Sequence, residues 1–141
     1  MHTFRKYLLP AISAFILFAG CGQDPVRDPL TSGVLATFRV GDDIFKVWIT
    51  DEDALADVIA WWGGNMSKTI PDGKLNLGPG TVGYNQPWAW HLDQDDIVIR
   101  ETAPDTCNGT PTEVNESLGE WLDDPGRYCP HDAELILLES L

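Results

Sequence analysis

The first twenty residues decide how much of this chain is left to fold. Arg5 and Lys6 give a short basic start, and Leu8–Ala19 is an apolar run interrupted only by Pro10 and Ser13. That run is too short to cross a bilayer comfortably, and no second one follows it. Residues 1–20 are therefore read as a cleaved signal peptide rather than a membrane span. From Gly22 to Gly33 the chain reads GQDPVRDPLTSG, rich in prolines and turn formers and without apolar periodicity, which predicts a flexible tether over 21–33. What remains to fold is one domain over 34–141, with no room for a cofactor domain beside a substrate domain.

The leader ends Leu17-Phe18-Ala19-Gly20-Cys21. This resembles the lipobox of bacterial lipoproteins, in which small residues precede a cysteine that is diacylated and becomes the mature N-terminus. Phe18 departs from the usual Leu, whereas Ala19, Gly20 and Cys21 fit. The resemblance implies acyl chains such as palmitate at Cys21 and a place in the bacterial cell envelope; Gly22 after the cysteine leans towards the outer membrane. An ordinary leader cut after Ala19 or Gly20 would leave an odd free thiol in an oxidising compartment, and acylation accounts for it. At about 0.8 kcal/mol per buried methylene, several acyl chains hold a protein at a membrane almost irreversibly.

Charge narrows the partners. The whole chain carries 9 Lys and Arg against 22 Asp and Glu, and taking away Arg5 and Lys6 leaves 7 basic residues and a net charge of -15. No cluster of cations is left to meet nucleic-acid phosphates or anionic headgroups, so membrane attachment rests on the lipid alone. The hydrophobic content of 43% argues against disorder. Two cysteines, Cys107 and Cys129, remain in a compartment where disulfides persist. Their bridge is expected, and in the chain-entropy view it contributes roughly 3 kcal/mol. The rival is a zinc site made of His91, Cys107, Cys129 and His131, whose spacing matches no structural zinc motif.

Periodicity then sets the elements. Val34, Ala36, Phe38 and Val40 alternate, as do Phe45, Val47 and Ile49 after Gly41-Asp42-Asp43, which predicts a β-hairpin. A helix follows, with Thr50 as N-cap, Asp53 at the capping-box place and a buried stripe of Leu55, Val58, Ile59 and Trp62, ended by Gly63-Gly64. Residues 65–86 read as one long irregular loop with a short alternating piece at Lys74–Leu77. Trp88–Leu92 and Ile97–Arg100 read as a second hairpin around Asp93-Gln94-Asp95-Asp96. Thr110, Pro111 and Glu113 start a second helix, with Val114, Leu118, Trp121 and Leu122 on its apolar face and Asp124-Pro125-Gly126 at its end. The continuous run Leu135–Leu138 within a last strand, Ala133–Glu139, predicts burial on both faces. The order ββαβββαβ gives an α+β domain: an antiparallel sheet of five to six strands with two helices on one face and one disulfide.

The most distinctive segment is Gly83-Tyr84-Asn85-Gln86-Pro87-Trp88-Ala89-Trp90-His91-Leu92-Asp93. With the early hairpin and helix and the Cys107 to Cys129 region, it resembles a family of small secreted or lipid-anchored domains that share a Tyr-Asn, Trp, His-Leu-Asp signature. The family is named after an amoebal protein and occurs also in bacteria, and the likeness implies a fold unit rather than a reaction. Alternation puts Trp88, Trp90 and Leu92 on one face and Ala89, His91 and Asp93 on the other. One reading of the tryptophans is core packing. The functional reading takes Tyr84, Asn85, Gln86 and Trp88 as a partner-binding set, flat aromatics beside amides that suit a peptide or a glycan.

No nucleophile, base or paired acid stands out. Ser32, Ser67, Ser117 and Ser140 lie in no catalytic context, and His91 and His131 are the histidines of the mature chain. A non-enzymatic protein without a cofactor is the expectation. Asp93, Asp95 and Asp96 offer carboxylates for calcium but lack the glycine and distal glutamate of an EF-hand loop. Three roles follow: an envelope-anchored binding module for a protein or saccharide that uses the Gly78–Trp88 loop, an inhibitor of an extracellular hydrolase with a disulfide-braced loop, or a calcium-stabilised adhesion domain.

Overall fold

The computed structural model describes Leu30 and residues 32–141. The expected leader, Cys21 and most of the expected tether lie outside the described residues.

The first hairpin forms as its alternation dictates. β1 (Val34–Val40) pairs antiparallel with β2 (Asp43–Ile49), closing at Val40 opposite Asp43, with Gly41 at φ 61° in the turn. Ala36, Phe38, Val47 and Ile49 point to one side and are fully buried, and the rings of Phe38 and Phe45 stack across the pair at 5.4 Å. The last strand, β6 (Glu134–Ser140), returns to pair antiparallel with β1 and gives a three-stranded sheet in the order β2-β1-β6.

A second three-stranded sheet, in the order β4-β3-β5, joins β3 (Ile70–Leu77), β4 (Trp90–Arg100) and β5 (Arg127–Tyr128). Three expectations are corrected here. The domain holds two antiparallel sheets of three strands, not one of five to six. Within the stretch expected to be irregular, Ile70–Leu77 is a strand, β3, whose first half was hidden because Pro71, Asp72 and Gly73 are poor strand formers. The expected second hairpin is a single strand, β4, both halves of which pair with β3. Gly73 opposes Ile97 and Leu75 opposes Leu92, so Asp93–Asp96 bulge out against the lone Lys74. A Cβ on Gly73 would come within 2.7 Å of Ile97 Cδ1, which is why glycine suits the point where the excursion closes.

The helices differ in phase and length from expectation. α1 (Glu52–Trp62) is capped by Asp51, not Thr50: the Asp51 carboxylate accepts a hydrogen bond from the Ala54 amide at 3.0 Å. It buries Ala54 and Val58, with Leu55 and Trp61 against the core, while Ile59 and Trp62 are 54% and 51% exposed. Both sets satisfy helical spacing, because apolar residues stand side by side at 58–59 and 61–62. The choice falls to Phe38, whose ring meets that of Trp61 at 5.4 Å. The second helix has the expected Thr110–Glu113 capping box but breaks at Ser117 (φ -122°, ψ 36°) into α2 (Pro111–Glu116) and α3 (Leu118–Asp123), giving three helices in place of two.

The run Leu135–Leu138 is not buried on both faces. Leu135 opposes Phe38 and Leu138 opposes Ala36, so Ile136 is the extra residue of a bulge. The bulge reverses the strand's parity, so Leu135 and Leu138 both reach the core while Leu137 stays exposed. The disulfide Cys107–Cys129 is present and buried, tying the turn at 105–107 to the end of β5. With both thiols in that bond, the zinc alternative built on them falls away.

Candidate functional site

The loop between β3 and β4 is closed at its base, where the Gly78 amide donates to the Ala89 carbonyl at 2.7 Å, and it is braced within, where the Asn85 amide donates to the Pro79 carbonyl at 2.9 Å. It turns through a 3₁₀ segment, Thr81–Gly83, in which Val82 lies at φ 51°, ψ 19°. A β-branched side chain rarely adopts this conformation.

The free edge of β2 faces the loop, and three loop side chains cap it one after another. Trp88 Nε1 donates to the Ile44 carbonyl at 2.7 Å, Asn85 Oδ1 accepts from the Lys46 amide at 2.8 Å, and the Tyr84 hydroxyl meets the backbone of Trp48. Positions 44, 46 and 48 are the alternate residues of a strand, those whose backbone groups would otherwise bond a further strand. The same side chains also reach β4. Asn85 Nδ2 donates to the Trp90 carbonyl at 2.7 Å and the Tyr84 hydroxyl to the Leu92 carbonyl at 3.2 Å. Two residues thus stitch the edge of one sheet to the edge of the other. Burial raises the Tyr84 phenol above its ordinary value of 10.0, and Asp93 adds to the rise against the opposing bond from Trp48.

This settles where the expected binding set lies. Tyr84 and Asn85 are buried, Tyr84 in a cluster with Leu30, Leu35 and Trp48, so neither presents its side chain to a partner. Trp88 is half-buried and stacked on Trp90 at 6.3 Å, and Gln86 is exposed. Trp90 and Leu92 fill the core, as alternation suggested, and His91 donates from Nδ1 to the Gly78 carbonyl at 2.7 Å. The end of the expected tether also lies on the domain: Leu30 is buried in that cluster and the Ser32 carbonyl accepts from Trp48 Nε1 at 2.9 Å.

What the loop does present is aliphatic. Leu77 and Val82 are 72% and 70% exposed, the two most exposed large hydrophobic residues among those described. From Leu75 to Leu92 there is no Asp, Glu, Lys or Arg, the longest such run in the chain. The disulfide does not brace this loop.

The acidic bulge is engaged by its own surroundings. Asp93 Oδ1 accepts from the Asp95 amide at 3.0 Å and Asp96 pairs with Arg127 Nη1 at 2.6 Å. Among the described residues no group of three His, Cys, Asp or Glu side chains is placed to hold a metal ion.

Sequence reasoning missed a second place, where Asp72, Arg100 and Arg127 meet at a cleft of about 170 Å³. The three come from β3, β4 and β5, far apart in the chain. The signal in the sequence was the scarcity of cations, 9 Lys and Arg in the whole chain, two of which are these arginines.

The family model described as the BP-74 N-terminal domain matches residues 33–140. No curated protein and no solved structure matches the chain.

Proposed function

From the premise that the chain belongs to the BP-74 N-terminal domain family, we propose that it is a non-catalytic binding module of the bacterial envelope. In this reading it is carried on a lipid at Cys21 and presents its 77–88 loop to a protein or saccharide partner. One observation carries the proposal. Val82 is held exposed, in a strained backbone conformation, at the tip of a loop that buried Tyr84 and Asn85 keep rigid. Strain is retained where the surrounding structure over-determines it, and a pre-ordered loop loses little entropy on binding. The uncharged run supports a partner met by apolar contact, and with Tyr84 turned inward a protein surface fits better than a saccharide.

The test sets binding against stability at one residue. A photo-reactive side chain at position 82 should give a discrete adduct in the intact envelope, and one at Val98, on β4, should not. Val82→Asn removes the branched side chain from a left-handed conformation that asparagine tolerates, so it should raise the melting temperature and abolish the adduct of a probe at Leu77. Trp88→Ala, by contrast, should lower the melting temperature, because it strips the Ile44 carbonyl of its donor. If Val82→Asn leaves the adduct intact, the loop is not the binding surface.

A further inference from the structure

Asp72 is the buried charged residue of the described chain, with its side chain only 3% exposed. It stands on the face of the β3–β4 ladder turned away from the core residues Ile97 and Ile99. A buried carboxylate needs a partner, and one arginine gripping it with both prongs of the guanidinium is the strongest arrangement. The structure does something else. Two arginines share Asp72: Arg127 donates to it from Nε at 2.9 Å and spends Nη1 on Asp96, and Arg100 pairs with the other carboxylate oxygen through Nε at 2.5 Å. Arg127 donates hydrogen bonds from Nε and Nη1, whereas Nη1 and Nη2 of Arg100 and Nη2 of Arg127 donate none within the described residues. Both side chains remain partly open, at 44% and 34%, and line the same cleft, which Pro104 and Pro125 wall and to which Thr106 adds a hydroxyl.

We infer that this cleft binds a carboxylate on a short apolar body, with Arg100 and Arg127 as its ligands and Asp72 as the residue that positions them. Two guanidiniums splayed by one buried acid turn unclaimed N–H groups towards a common volume, and planar oxygen anions are what such forks recognise. Asp72 and Asp96 balance the two arginines, so the site is locally neutral inside a strongly acidic chain. Binding here owes more to hydrogen-bond geometry than to net attraction. The proline walls suit the few carbons that carry the carboxylate. Either a peptide C-terminus or an acidic sugar supplies that chemistry.

The experiment is a titration of the full chain in detergent, following the Nε–H signals of Arg100 and Arg127 by NMR. N-acetylalanine stands for a peptide terminus and glucuronate for an acidic sugar, with N-acetylalanine amide and methyl glucoside as neutral controls. Saturable shifts at both arginines with a carboxylate and not with its neutral counterpart are expected, and the responding carboxylate identifies the source. Arg100→Gln should weaken binding about tenfold or more. Its fold should persist, since Arg127 still neutralises Asp72, and Arg100→Lys should not restore affinity because it returns charge without the fork. In Asp72→Asn the two Nε–H signals should collapse into fast solvent exchange as affinity is lost. Equal shifts with the neutral controls, no saturation with either carboxylate, or unchanged affinity in Arg100→Gln would each overturn the inference. None of these outcomes involves the 77–88 loop, so the binding-module reading stands or falls separately.

Discussion

Asn85 shows how much one side chain can decide. Its amide is a donor and an acceptor about one peptide unit apart, so it completes the hydrogen bonding of two strand edges at once, at Lys46 and Trp90. Replacing it with alanine leaves a buried N–H and a buried C=O unpaired. The expected cost is about 2–5 kcal/mol, read from urea denaturation. Asn85→Asp keeps the acceptor for Lys46 but sets a carboxylate oxygen against the Trp90 carbonyl, and it should be no better tolerated. The sequence marked Tyr84, Asn85 and Trp88 as residues with something to bind, and in the structure each makes a hydrogen bond through its polar tip. Their partners turn out to be the chain's own backbone, because sequence does not reveal which strand edges will lack a neighbour.

At the scale of elements, legibility followed local rules and failed where a neighbour overrode them. The first hairpin and the Thr110 capping box were readable because alternation and capping are set within a few residues. The phase of α1 was not, since adjacent apolar residues offered two stripes and the packing of Trp61 on Phe38 selected one. β3 was hidden for the opposite reason: Ile70-Pro71-Asp72-Gly73 has weak strand propensity, and its pairing with β4 supplies what local preference lacks. The loop after it is built around Gly80, whose φ of 83° only glycine adopts easily and where a Cβ would press on the Tyr84 ring. Gly80→Ala should therefore destabilise the domain by about 1–3 kcal/mol and shift Tyr84 from its cluster, visible as increased tyrosine exposure in near-ultraviolet spectra.

The whole molecule depends on two sheets held edge to edge by side chains, and two buried phenols report on it. Burial raises Tyr84 and Tyr128 above the ordinary 10.0, with Asp43 and Glu113 adding to the rise at Tyr128, whose hydroxyl donates to the Gly109 carbonyl at 2.8 Å. The folded state thus holds these protons more tightly than the unfolded chain. Their contribution is fully present below the unfolded value near 10.0 and is lost as pH rises above it. Unfolding free energies measured by urea from neutral pH upward should hold level and then fall past that point. Tyr84→Phe should make the fall shallower, at the cost of its bonds to Leu92 and Trp48. If the alkaline slope is unchanged in Tyr84→Phe, the phenol is not held as described.

By itself the sequence determined the first hairpin, the second helix start and the disulfide, each of which follows from spacing or from a count. It also singled out the segment that holds Tyr84, Asn85 and Trp88. Tertiary structure alone decided what those residues do, which helical face is buried, that Ile136 bulges and reverses β6, and that Asp72, Arg100 and Arg127 share a cleft. The division has one physical cause: propensity, capping and alternation act over a few residues, whereas the partner of a strand edge or of a buried charge is chosen by contacts between segments far apart in the chain.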